Sequence, residues 1–264
     1  VIQLNAIQVT FNPGTPLETR ALNGIDLAIP AGQFVTVIGS NGAGKSTLLN
    51  VLSGDILPSR GRVAIDDRDV TSQPAARRAR PVARVFQDPL AGSCANLTVE
   101  ENLALAHRRG KPRGLRPALN RRLKEQFRDR LATLGLGLEK RLSDRMGLLS
   151  GGQRQALSLL MSALAPSRIL LLDEHTAALD PKTAEYVLQL TRDLVAERQL
   201  TTLMVTHSLR QALDCGDRTL MLHEGRILVD VAGGEREDLT IEDLLQLFEA
   251  QQQQKLADDS LLLG

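Results

Sequence analysis

Runs of apolar residues broken by turn-forming clusters divide the chain into strand-like and helix-like stretches. Gln3 to Phe11 and Gly24 to Ile29 have strand character on either side of the loop Asn12-Pro13-Gly14-Thr15-Pro16. After the turn Pro30-Ala31-Gly32, Phe34 to Ile38 forms an apolar, β-branched run, the pattern of a parallel strand covered on both faces. A glycine-rich loop follows, and Ser46 to Leu52 then reads as a helix. Arg62 to Ile65 and Val82 to Phe86 read as further short strands.

From about Asp88 to Pro166 the β-branched runs thin out and helical spacing takes over. Thr98 followed by Glu101 has the spacing of a capping box and marks one helix start. Strand character returns at Ile169-Leu170-Leu171-Leu172 and at Thr201 to Thr206, with a helix between them carrying Val187, Leu190 and Leu194 on one face. Thr219 to Leu222 and Arg226 to Val229 flank Glu224-Gly225, the signature of a hairpin. An amphipathic helix with Ile241, Leu244, Leu245 and Phe248 precedes a polar end that includes Gln251 to Gln254. The pattern predicts an α/β core interrupted by a helical subdomain, without internal repeats.

Composition narrows the function classes. The 264 residues suit one core with a subdomain, and 42% hydrophobic with 24% charged residues is globular rather than disordered. A net charge of +1 and an aromatic fraction of 2%, with no Trp, give nucleic acid neither a basic field nor a stacking platform. Cys94 and Cys215 have no metal-ligand spacing and read as two reduced thiols. No apolar run reaches the roughly eighteen residues that a bilayer span needs. Val1-Ile2-Gln3-Leu4 shows no basic segment leading into an apolar one, so a secretory signal is not expected. The expected location is cytoplasmic, unless a partner holds the chain at a membrane.

Gly39-Ser40-Asn41-Gly42-Ala43-Gly44-Lys45-Ser46-Thr47 satisfies G-x-x-x-x-G-K-[ST], with a strand before it and a helix after. Its glycines let backbone N–H groups converge on phosphate oxygens. The helix start, the Lys45 ammonium and a Ser46 hydroxyl suited to Mg²⁺ add to the cradle. The competing reading, a connecting glycine turn, leaves the Lys-Ser pair unexplained, and the spacing is wrong for a dinucleotide fingerprint. Downstream, the apolar strand Ile169 to Leu172 ends in Asp173-Glu174. Asp173 there suits a metal, and Glu174 suits a base beside a γ-phosphate. Alone, such a strand would be only one emerging into solvent.

Leu149-Ser150-Gly151-Gly152-Gln153 resembles the five-residue signature of the ABC ATPases, with Ser150 opening a helix whose N-terminus favours an anion. Gln87 resembles that family's Q-loop glutamine, Ala178-Leu179-Asp180 its D-loop, and His207 its H-loop histidine. Phe11 falls where the family stacks an aromatic on adenine; the competing reading is a core phenylalanine ending the first strand. The resemblance covers roughly residues 1 to 230, in the family's order throughout. His175 departs from it, standing where many relatives have proline; the alternatives are a titrating imidazole and a surface or packing role.

The resemblance implies a P-loop NTPase (RecA-like) core with an antiparallel β subdomain and an inserted helical subdomain. The expected division is 1–87 with 166–235 for the nucleotide-binding core, 88–165 for the helical subdomain and 236–264 for a C-terminal helix and tail. It implies ATP and Mg²⁺ as cofactors. ATP contacts are expected from Phe11, the Gly39 to Thr47 loop, Ser150 to Gln153 and Asp180, and metal contacts from Ser46, Gln87 and Asp173. Catalysis falls to Glu174, His207 and Gln87. In the family the signature loop completes a second chain's site, so the partner is another copy or a related ATPase subunit, paired head to tail. Integral membrane permease subunits would dock near Asp88 to Asn96, and a secreted solute-binding protein is a further possible partner. The chain would then sit on the inner face of the cell membrane.

The basic stretch from Arg108 to Arg130, with Arg109, Lys111, Arg113, Arg116, Arg121, Arg122 and Lys124, reads as a solvated face or as a surface near anionic lipid. Among ABC functions, import of a small solute such as an amino acid is the expectation, with an exporter motor as the alternative. A non-transport ABC ATPase acting on DNA or ribosomes is the less favoured alternative, since the family's repair branch usually has long coiled coil between its halves and its translation branch usually has tandem cassettes, whereas this sequence shows no heptad run and one cassette. A metabolic P-loop kinase leaves Leu149 to Gln153 without a role.

Overall fold

The computed structural model describes residues 1–111 and 117–250. In chain order the first elements are β1 (Ile2–Phe11), β2 (Thr19–Ile29), β3 (Phe34–Gly39), α1 (Lys45–Ser53), β4 (Arg60–Ile65) and β5 (Arg68–Asp69). Next come α2 (Ala75–Arg78), β6 (Val82–Val85), α3 (Val99–His107), α4 (Arg121–Ala132), α5 (Gly151–Leu164), β7 (Ile169–Asp173) and α6 (Pro181–Arg198). The last are β8 (Thr201–Val205), α7 (Leu209–Asp214), β9 (Arg218–His223), β10 (Arg226–Ala232) and α8 (Gly234–Glu237), and residues 241–250 are helical. The mixed α/β class read from the sequence holds, with strand ends shifted by a few residues. Among the described residues no helix is long and apolar enough to cross a membrane.

The chain groups into two compact units, one of Val1–Pro74 with Thr201–Gly264 and the other of Ala75–Leu200. In the first, β2, β1, β4 and β5 form an antiparallel sheet in that order. A second set of strands places β3 between β8 and β9, parallel to both, and β10 closes on β9 as the expected hairpin. Glu224 and Gly225 supply the two positive φ values (46° and 73°) that such a tight turn needs. The C-terminal helix buries Leu244 against Ile38, Ala212, Met221, Val229 and Val231. Ile241 and Leu245, expected on the same buried face, are exposed. Thr240 and Asp243 cap that helix reciprocally, through Thr240 N–H to Oδ2 (2.9 Å) and Asp243 N–H to Oγ1 (3.2 Å). Gln251 to Gln254 lie outside the described residues.

In the second unit β6 and β7 pair in parallel, and the helices keep a core of their own built on Val99, Leu103, Phe127, Leu131, Met146 and Leu157. The Thr98–Glu101 capping box forms as expected at the start of α3. The buried face of α6 includes Val187 as expected and differs at the other positions. It carries Val187, Leu188, Thr191 and Val195, while Leu190 and Leu194 lie half-buried at its edge. A broad stripe at 3.6 residues per turn includes Thr191 because its hydroxyl finds partners within the helix and beside it.

Candidate functional site

In the first unit, β3 feeds the phosphate loop at its C-terminal end. Val37 of β3 lies opposite Val205 of β8, so Gly39 and His207 leave neighbouring parallel strands at the same edge. Ligands of parallel α/β sheets gather at that edge. Gly44 has φ 100°, and a Cβ there would come within 2.5 Å of the Ala21 carbonyl oxygen, so only glycine fits. No side chain caps α1, whose first intrahelical hydrogen bond is Leu48 N–H to Gly44 O at 2.9 Å. The amides of Lys45, Ser46 and Thr47 precede that bond and give the loop its anion-binding character. Lys45 is buried, and its Nζ donates to Gly39 O (2.8 Å) and Ser40 O (3.0 Å). Ser46 is exposed.

His207 is exposed just before α7, which Ser208 caps by accepting from Gln211 N–H. The other end of α7 is held by Arg236, whose guanidinium donates to the carbonyls of Ala212, Leu213 and Cys215 at 2.6–2.8 Å. Phe11 is 39% exposed at the end of β1, which removes the core reading and leaves its ring accessible to a ligand.

In the second unit, Val85 of β6 lies opposite Leu172 of β7, so Gln87 and Glu174 leave adjacent strands at one edge. Asp173 is buried and accepts from the Arg84 guanidinium at 2.7 Å. The same guanidinium lies 4.5 Å from the centre of the Phe86 ring. Arg84 was not singled out from sequence, although a charge inside an otherwise apolar strand was the available signal. Glu174 takes a left-handed backbone conformation (φ 45°), which turns the chain sharply off β7. His175 does not lie at the surface. It is 2% exposed, its Nε2 lies 3.0 Å from Thr191 Oγ1, and burial lowers its pKa to about 4. Thr191 Oγ1 donates to Val187 O, so it accepts from the imidazole, fixing a neutral ring with its proton on Nε2. Titration near neutral pH is thereby corrected.

Ser150 caps α5 and is exposed, accepting from Gln153 N–H, while Gln153 Oε1 accepts from Ser150 N–H. Arg141 and the Leu136 carbonyl also bind the Gln153 side chain, so Gln153 anchors the signature loop. Gly151 and Gly152 occupy the first turn of α5, and a Cβ on Gly152 would overlap Thr183 Cγ2 at the start of α6. Asp180 caps α6, accepting from Thr183 N–H at 3.1 Å, and the Thr183 side-chain and backbone hydrogen bonds hold its carboxyl below the usual range. Buried Gln155 of α5 donates to Phe86 O, which ties the signature helix to the residue before Gln87.

Several side chains of the basic stretch are engaged internally. Arg109 donates to Ser162 O (3.0 Å), Lys124 pairs with Glu100 (2.7 Å) and Arg121 with Glu125 (3.2 Å). Arg113 and Arg116 lie outside the described residues.

The family model for ABC transporters matches residues 22–177. A tyrosine transport ATP-binding protein of Clostridioides difficile (strain R20291) is 46% identical over 251 residues, covering 94% of this chain and 99% of that protein. A thiamine import ATP-binding protein of Yersinia pseudotuberculosis serotype I is 39% identical, covering 78% of this chain and 82% of that one. A dimeric ATP-binding cassette solved in a post-hydrolysis state with ADP and Pi is 29% identical with a TM-score of 0.76, covering 88% of this chain and 98% of that one. With the family matched over more than half the chain and a transport relative over nearly all of it, the protein belongs to the ABC transporter family as an ATP-binding, ATP-hydrolysing subunit.

Proposed function

We propose that this subunit drives import of a small solute such as an amino acid, working as a head-to-tail pair beneath separate membrane permease subunits. The observation that carries the reading is the 46% identity to a tyrosine transport ATP-binding protein over almost the full length of both chains. A thiamine import relative points to the same direction of transport. In this reading the chain sits on the inner face of the membrane, and a solute-binding protein on the far side delivers cargo. Functionally we keep 1–87 with 166–235 as the nucleotide-binding core, 88–165 as the helical subdomain and 236–264 as the C-terminal element. That division keeps the strands bearing Gln87 and Asp173 with the nucleotide chemistry.

ATP phosphates would replace the Gly39 and Ser40 carbonyls as the partners of Lys45, while the amides at the start of α1 hold phosphate oxygens. Ser40, Asn41, Gly42 and Ala43 wrap the phosphates, and Phe11 stacks on the adenine. Ser46, Asp173 and Gln87 are assigned to Mg²⁺. Hydroxyl, carboxylate and amide oxygens are the hard donors that this ion prefers, and Asp173 is already held in a buried polar setting. When bound, Mg²⁺ supplies charge neutralisation on the phosphates. Glu174 takes the proton of the attacking water, and His207 orients the γ-phosphate. Ser150, Gly151, Gly152 and Asp180 complete the site of the opposite chain.

Glu174→Gln tests the centre of this scheme. The variant should bind ATP, accumulate as a dimer on size-exclusion chromatography and release phosphate at least about 100-fold more slowly. Turnover near the parent rate would remove Glu174 from the base role. Reconstitution in vesicles with a permease that co-purifies with it tests direction: ATP on the cassette side should draw solute in from the opposite side, and extrusion would overturn the import reading.

A further inference from the structure

We infer that Arg84 is a positioning residue for the metal-binding carboxylate. The inference rests on the reading of Asp173 as an Mg²⁺ ligand. Arg84 lies in β6 opposite Leu171 of β7, two residues before Asp173, and its side chain reaches diagonally along the strand pair to that carboxylate. The contact is short, 2.7 Å from Nη2 to Oδ2, and both side chains are nearly buried, at 11% and 12% exposure. A charge pair in such a place is maintained only by good geometry, because taking either ion out of water is costly.

The geometry has a second support. The guanidinium carbon sits 4.5 Å from the centre of the Phe86 ring, so the planar group is held on an aromatic face while it holds the carboxylate. Phe86 directly precedes Gln87, and its carbonyl accepts from Gln155 of the signature helix. Arg84 therefore links two of the assigned metal ligands, gripping Asp173 directly and packing on the residue that leads into Gln87. Its Nη2 contacts Oδ2, and a guanidinium has no lone pair to offer a metal, so Arg84 acts on the metal only through the carboxylate. Outer partners of this kind set the orientation of metal-binding carboxylates, and their loss weakens metal affinity about 10- to 100-fold.

The test uses the full-length chain, a fluorescent ATP analogue and Mg²⁺ titrated from an EDTA-treated start. Arg84→Met should raise the Mg²⁺ concentration for half-maximal enhancement of analogue binding about 10- to 100-fold, with metal-free analogue binding unchanged. Arg84→Lys keeps the charge without the fork and should recover part of that loss. Phe86→Leu keeps the arginine but removes its platform and should give a smaller shift in the same direction. If Arg84→Met does not fold, the lysine and Phe86 variants carry the test. An unchanged Mg²⁺ dependence in the folded variants, or an equal loss of metal-free binding, overturns the inference. Asp173→Asn separates the two layers. If it leaves Mg²⁺ dependence intact, the ligand assignment itself fails; if it shifts that dependence and the Arg84 variants do not, only the role of Arg84 fails.

Discussion

A methyl group at Gly152 would overlap Thr183 Cγ2, so the first turn of α5 meets the first turn of α6 at a point where no side chain fits. Close approach of backbone to phosphate is one reason for glycine in a signature loop, and packing adds a second, independent demand on Gly152. Gly152→Ala should destabilise the protein by about 1–3 kcal/mol, read as a lower urea midpoint. Thr183→Ser removes the obstructing methyl and should restore most of the loss. A double variant no more stable than Gly152→Ala alone would place the cost elsewhere. Residues of the phosphate and signature loops were legible because each motif is a contiguous string. Arg84 and Gln155 were not, since their partners lie 89 and 69 positions away and meet only through strand register and helix packing. Phe11 required the structure for a different reason: an apolar residue ending a strand has the same pattern whether its ring is buried or offered to a ligand.

At the scale of elements, the capping boxes of α3 and α5, Thr98–Glu101 and Ser150–Gln153, lie within four residues of sequence and form as such signals dictate. Helix faces were less legible, because periodicity gives a stripe but not which edge of it meets the core: α6 buries Val187 as expected, but Leu188 and Val195 rather than Leu190 and Leu194. The junction of β7 with α6 is pinned by His175, which donates to Thr191. Burial lowers the folded pKa of His175 to about 4, below its ordinary value, so the unfolded chain binds the extra proton first. The stability it contributes is therefore complete above an unfolded pKa of about 6.5 and is lost as pH falls toward the folded value. Between pH 7.5 and pH 5 the loss from this group should be about 2 kcal/mol. Urea denaturation of His175→Asn should show a correspondingly flatter pH dependence than the parent, whatever its absolute stability. Parallel slopes would mean that His175 takes up its proton in the folded protein.

For the whole molecule, the sequence placed the chemistry-bearing loops in one order along the chain, while the structure distributes them over two compact units. The phosphate loop and His207 belong to one; Gln87, Ser150, Asp173, Glu174 and Asp180 belong to the other. Sequence order alone does not say which chain's Ser150 serves which phosphate loop, because pairing is a property of two molecules. The proposed head-to-tail pair makes a prediction that a self-contained site does not. Lys45→Ala disables a phosphate loop, and Ser150→Arg places a bulky cation where the signature meets the nucleotide; each variant alone should be nearly inactive. In a mixed dimer with two-fold exchange of loops, one composite site inherits both lesions and the other inherits neither. Random mixing puts half of the dimers in that form, so ATPase activity should recover to about a quarter of the parent value if the two sites act independently. Recovery should follow the rate of subunit exchange and disappear when either variant is chemically cross-linked to itself beforehand. A mixture that, with exchange verified by a tagged subunit, neither hydrolyses ATP nor binds it at one shielded site per mixed dimer would mean that each chain completes its own site, and the pairing would then have to be abandoned.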